Sequence, residues 1–152
     1  MSWITLYSGA RFDFDKPEDC EFTLMDVAVP LSQICRFTGH TYHHYSVAQH
    51  SVMMAKCMLN SASPRIRAQA YGALMHDSTE AFLGDVAHPL KQILPDYQRL
   101  EERIEPVIMK RLGLEVSRTK DIKRYDMRAM VTERQALLVD QDSVWPGFEK
   151  VQ

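Results

Sequence analysis

From Thr23 to Val139 the apolar residues recur three and four positions apart, and on three of the stripes so formed a histidine or an acid stands where leucine would pack. This pattern dictates a bundle of helices and sets it a problem. A carboxylate moved out of water without a partner costs several kcal/mol, so whatever surrounds these groups must repay their desolvation. His50 shares a face with Val47, Ser51, Met54 and Met58; His76, Asp77 and Glu80 follow the apolar run of "ALMHDSTEAFLGD"; Asp126 lies on a stripe with Ile122, Ala129, Met130, Glu133 and Leu137. Convergence of the three stripes on one ion satisfies them together. Two imidazoles and two carboxylates form a mixed N/O set suited to a borderline divalent metal such as Co, Mn, Zn, Fe or Ni, with Mg as a harder alternative. Taken singly, each residue has a plainer reading: His50 as a hydrogen-bonded core histidine, Asp126 as a structural ion-pair partner of Arg124, Arg128 or Arg36.

Local signals place the elements. "WITLYSGARFDF" (residues 3–14) alternates aromatic and β-branched residues around Ser-Gly and predicts a hairpin, the only strands expected. "TLMD" from Thr23 reads as a capping box, opening a helix that continues past Pro30 to about Gly39. "SVAQ" from Ser46 is a second one, for a helix to about Leu59. Ser63-Pro64 gives an N-cap and first-turn proline for a helix to about Phe82. "HPLKQIL" suggests a short helical turn. Asp96 is expected to cap a long helix ending at Gly113, with Pro106 as a kink, and the final helix is expected from about Ser117 to Val139. Residues 140–152 lack periodicity and read as a docking strap or a disordered tail.

A chain of 152 residues suits one domain, here the whole of 1–152, and 18 Lys+Arg against 20 Asp+Glu supply no basic field for a nucleic-acid polymer. A small anionic substrate fits better. Three cysteines without CxxC spacing argue against a disulfide framework or a cysteine zinc site, and point to a reducing cytoplasm. No apolar run is long enough to span a membrane. P-loop, dinucleotide-binding, zincin and serine-hydrolase motifs are all missing from the sequence.

"YSVAQHS", "ALMHDSTEAFLGD" and "RYDMRAMVTER" together resemble the spaced H…HD…D signature of HD-domain phosphohydrolases, and the similarity runs on through "LYSGARFDF", "ICRFTGH" and "HPLKQILPDYQRLEERI". The nearest branch is the small 5′-deoxynucleotidase-like proteins, with phage dATP triphosphohydrolase-like proteins beside it. The resemblance implies an all-α HD-domain helical bundle with a minor N-terminal hairpin, one divalent metal and a homo-oligomer. It assigns metal ligation to His50, His76, Asp77 and Asp126, acid/base or water-orienting work to Glu80, and a place near the nucleotide to Asp85. Arg36 would contact phosphate and Phe37 the sugar or base, where many members of this branch carry tryptophan. His40, with His43 and His44, is read as a phosphate-side or loop residue, and Lys91 as a phosphate contact or an exposed lysine. The activity so implied is hydrolysis of a deoxynucleoside monophosphate to nucleoside and phosphate. Release of triphosphate from a dNTP is the near alternative, and a catalytically silent nucleotide sensor the distant one.

Overall fold

The computed structural model describes residues 2–114 and 119–140. Strands β1 (Trp3–Thr5) and β2 (Arg11–Asp13) pair antiparallel, with Ile4 opposite Phe12, and the turn closes through Leu6 N–H on the Ala10 carbonyl at 2.8 Å. Everything else among the described residues is helix, turn or loop, so the fold is all-α with a minor β-hairpin. The helices are α1 (Leu24–Gln33), α2 (Val47–Leu59), α3 (Pro64–Arg67), α4 (Ala70–Met75), α5 (Glu80–Leu83), α6 (His88–Lys91), α7 (Pro95–Arg111) and α8 (Lys120–Leu137). None is long and apolar enough to cross a membrane.

Both capping boxes form. Thr23 accepts from Asp26 N–H while Asp26 accepts from Thr23 N–H, and Ser46 and Gln49 do the same at the start of α2. Asp26, fully buried, also accepts from Ser8 N–H at 2.7 Å, which ties the hairpin turn to α1.

Four boundaries differ from the sequence expectation. Helix α1 stops at Gln33 rather than near Gly39, because Ile34 and Cys35 turn extended and Cys35 bridges to Ser46. The helix expected over 63–82 is three pieces, α3, α4 and α5, and the Ser63 side chain makes no cap bond. Asp96 lies inside the first turn of α7, with Leu94 at the N-cap position and Pro95 at N1. Thr119, accepting from Ile122 N–H at 3.2 Å, caps α8; the expected start at Ser117 and the strap at 141–152 fall outside the described residues.

Two apolar cores form. The first gathers Leu6, Phe12, Val27, Leu31, Val47, Phe82, Ile104 and Ile108; the second gathers Met54, Met58, Ile66, Ala70, Ala73 and Ile122. Helix α2 belongs to both, through Val47 at one end and Met54 and Met58 further on. His50 therefore stands at their seam. In the second core α4 approaches α8 so closely that a Cβ on Gly72 would lie 3.0 Å from Ile122 Cδ1, which draws the segment entering His76 toward the helix carrying Asp126.

The hairpin serves the first core. Phe12 of β2 packs its ring 4.4 Å from that of Phe82, which in turn meets Phe22 edge-on at 5.1 Å. Phe82 belongs to α5, so this aromatic cluster fixes the helix that begins at Glu80. A Phe12→Ala variant removes a fully buried ring and is expected to cost about 3–5 kcal/mol, read as a lowered midpoint in urea denaturation. A loss below about 1 kcal/mol would contradict this packing.

Candidate metal centre

The break after α4 builds half of the site. Across residues 75–82 the backbone bonds run between positions three apart: Ser78 N–H to Met75 O at 3.0 Å, Glu80 N–H to Asp77 O at 3.0 Å, and Phe82 N–H to Thr79 O at 3.0 Å. At three residues per turn, side chains i and i+3 eclipse. Asp77 and Glu80 thus share one side, a relation that a regular α-helix would have skewed.

The other half comes from α2 and α8. His50 Nε2 lies 3.4 Å from His76 Nε2, 3.2 Å from Asp126 Oδ1 and 3.8 Å from Asp77 Oδ2. His76 Nε2 lies 3.1 Å from Asp77 Oδ2 and 3.9 Å from Asp126 Oδ1. Ligands about 2.0–2.2 Å from a common ion stand roughly 3.0–3.5 Å apart; the spacings of 3.1, 3.2 and 3.4 Å fall in that range, and those of 3.8 and 3.9 Å are wider. The donor atoms of His50, His76 and Asp126 all lie within 4.8 Å of one another, a group able to hold a metal ion.

Tautomers supply an independent test of fit. His76 Nδ1 lies 2.7 Å from the Ala73 carbonyl oxygen, and His50 Nδ1 lies 2.7 Å from Glu133 Oε1. A carbonyl and a carboxylate only accept, so each Nδ1 must carry the hydrogen. Both Nε2 atoms then face the centre as potential lone-pair donors, the arrangement in which second-shell acceptors hold metal-bound histidines. The donor set fits a borderline divalent ion.

The electrostatics add a demand for positive charge. Burial works to lower the His76 pKa, but the Asp77 and Asp126 carboxylates outweigh it and push it up to about 10. His50 is raised as well, burial being overcome by its bonds to Asp126 and Glu133. Burial opposes ionisation of Asp77 and Asp126, yet the imidazoles hold both below the usual carboxylate range. These carboxylates demand positive charge, which either protons or a divalent cation can provide. The Asp126 side chain is 29% exposed, against 10% for the neighbouring Asp77 and 0–2% for the imidazoles, so the cluster opens to solvent past Asp126.

Arg36 enters from the loop between α1 and α2. Val47 N–H to Ile34 O at 3.0 Å and Arg36 N–H to Tyr45 O at 2.9 Å pinch this loop shut, while Tyr42 N–H on Leu137 O at 3.0 Å ties its far end to α8. Within the loop Phe37 and Thr38 adopt left-handed φ of 54° and 55°, a strain of about 1–2 kcal/mol each for residues with a Cβ. The Arg36 guanidinium is buried, its NH1 3.7 Å from Asp77 Oδ2 and its Nε 3.1 Å from Glu133 Oε2. Phe37 places its ring 5.6 Å from that guanidinium.

Glu80 is buried, and its Oε2 has no hydrogen-bond partner among the described residues. Burial first, then the negative charge of Asp77 and Asp85, pushes its pKa well above the ordinary carboxylate range. Half-buried Asp85 is raised too, by burial.

The structure thus draws together His50, His76, Asp77, Asp126, Arg36 and Glu80, with Phe37 on Arg36. Two other candidates are placed otherwise. His40 is exposed, lining a shallow surface groove with Tyr42 and Leu137–Asp140. Lys91 donates to Glu101 at 2.7 Å and lies over the Tyr97 ring, although its charge is still felt at Glu80 and Asp85. Glu133, to which the H…HD…D pattern assigns no role, bonds His50, Tyr45 and Arg36 within the cluster. The signal was there: Glu133 stands two helical turns after Asp126 on the same inward stripe.

No family model matches the chain. It is 42% identical over 151 residues, 99% of this chain and 81% of the relative, to the uncharacterized protein YfdR of Escherichia coli K12. It is 32% identical over 127 residues, 81% of this chain and 64% of the relative, to an uncharacterized protein of Rhodobacter capsulatus. With that identity held along nearly its whole length, the chain belongs to the same family as YfdR.

Proposed function

We propose that this protein is a metal-dependent phosphohydrolase of the HD type that cleaves a deoxynucleoside 5′-monophosphate to nucleoside and phosphate. The observation that carries the reading is the meeting of four N/O donors from His50, His76, Asp77 and Asp126 beside a buried arginine. Those four residues would hold the ion. When bound, such an ion lowers the pKa of water toward about 7 and polarises a phosphoryl oxygen.

The remaining work falls to the chain. Arg36, still carrying guanidinium N–H groups beyond those on Glu133 and Asp77, would offset the charge that builds on the phosphoryl oxygens. Glu80 would deliver a proton from Oε2 to the 5′ oxygen as the bond from that oxygen to phosphorus breaks and a water oxygen bonds to phosphorus from the opposite side, and the proton that this water releases would restore Glu80. Phe37, its backbone set by the strained loop, would border the sugar or base.

Two of the cations considered for a β- or γ-phosphate are already engaged among the described residues: Lys91 is on Glu101, and Arg11 stacks 4.3 Å over Trp3. This favours a monophosphate over a triphosphate. Product analysis on matched dNMP, dNTP and ribonucleotide panels tests the reading, with Mn²⁺-loaded protein. Nucleoside plus inorganic phosphate from dNMPs is expected. Intact triphosphate from a dNTP would transfer the same ligands to triphosphohydrolysis, and no turnover of any nucleotide would favour a silent nucleotide-binding fold.

A further inference from the structure

We propose that Glu133 is a positioning residue that serves both halves of the centre, fixing His50 toward the metal and Arg36 toward the phosphate. The inference rests on the metal-centre reading above and adds a residue that the H…HD…D pattern does not contain. Glu133 is 3% exposed, and both its oxygens are committed. Oε1 accepts from His50 Nδ1–H at 2.7 Å and from the Tyr45 hydroxyl at 3.0 Å; Oε2 accepts from Arg36 Nε–H at 3.1 Å.

Geometry gives each bond a consequence. Turning the His50 ring over would take its hydrogen from Glu133, so the bond holds Nε2 on the side of His76 and Asp126. Arg36 is gripped at Nε, which fixes the plane of its fork and leaves the terminal nitrogens to face Asp77 and any bound anion. Helix α8 therefore contributes one ligand, Asp126, and two turns later the carboxylate that orients a second ligand and the arginine. Metal affinity and phosphate affinity share a single side chain.

The test uses the whole protein as wild type, Glu133→Gln and Tyr45→Phe, with Mn²⁺ affinity measured by calorimetry and inorganic phosphate affinity measured at saturating Mn²⁺. Glutamine keeps the shape of glutamate but turns one acceptor into a donor, so either His50 and Tyr45 or Arg36 loses its partner. Expected for Glu133→Gln, with the circular dichroism of wild type, is a Mn²⁺ affinity lower by about 10–100-fold and phosphate binding about tenfold weaker. Tyr45→Phe breaks a bond to the same oxygen without touching a ligand, and its Mn²⁺ affinity is expected within about threefold of wild type.

A folded Glu133→Gln with unchanged affinities overturns the inference, as does an equal loss in Tyr45→Phe, which would reduce Glu133 to packing. Should Glu133→Gln fail to fold, NMR of the Zn²⁺-loaded wild type decides: an exchange-protected His50 Nδ1–H proton supports the inference, and its absence overturns it. Wild-type protein that binds no divalent ion brings down the metal centre itself, an outcome distinct from a loaded wild type with an indifferent Glu133.

Discussion

Asp77→Ala is expected to purify with a small fraction of the wild-type metal and to lose more than about 100-fold in activity. Two effects combine. The substitution removes an oxygen that lies 3.1 Å from His76 Nε2 and 3.8 Å from His50 Nε2, so an ion would be left with three protein donors. Loss of a second-shell partner alone is worth about 10–100-fold in affinity or activity, and loss of a direct ligand costs more. It also strips Arg36 of one carboxylate neighbour, while Glu133 still holds the guanidinium. Metal content by plasma mass spectrometry after dialysis, beside circular dichroism to show that the helices persist, is the deciding pair of measurements. A folded Asp77→Ala protein that keeps stoichiometric metal would remove Asp77 from the ligand set.

Glu80→Gln separates proton handling from metal binding. The carboxamide occupies the same volume one three-residue turn beyond Asp77 but has no acidic proton to give. Metal content should therefore match wild type, while kcat falls by about 10²–10⁴-fold, the range in which a positioned general acid or base contributes. KM should change little, because the interaction lost belongs to the transition state. The buried Oε2, without a hydrogen-bond partner among the described residues, is what motivates the experiment: such an oxygen is costly unless a substrate atom or water completes it. A variant whose kcat stays within a few-fold of wild type would leave Glu80 a structural acid and move the search for the proton donor to Asp85.

What could be read from the sequence was local or periodic. Thr23 with Asp26, and Ser46 with Gln49, are three residues apart, and the bonds of a capping box need nothing from the rest of the fold. Inward placement of His50 and Asp126 followed from helical periodicity, that of His76 and Asp77 from the apolar run before them, and the hairpin from alternation around Ser8-Gly9.

Tertiary structure decided the rest, because those choices depend on groups far apart in the chain. Arg36 and Glu133, 97 residues apart, meet only when the pinched loop and α8 pack on α2. Lys91 could have faced phosphate as far as its sequence shows; Glu101, brought back by α7, engages its charge instead. The segment expected as one helix over 63–82 has the apolar spacing of a continuous helix. Packing breaks it, as Phe82 is drawn under Phe12 in one core and Ala73 into the other, and the tightened turn between them carries His76 and Asp77. Which side chains face inward was legible in the chain, since that is a matter of period and of apolar runs. The fold determined which of them meet, since that depends on how two cores divide one helix between them.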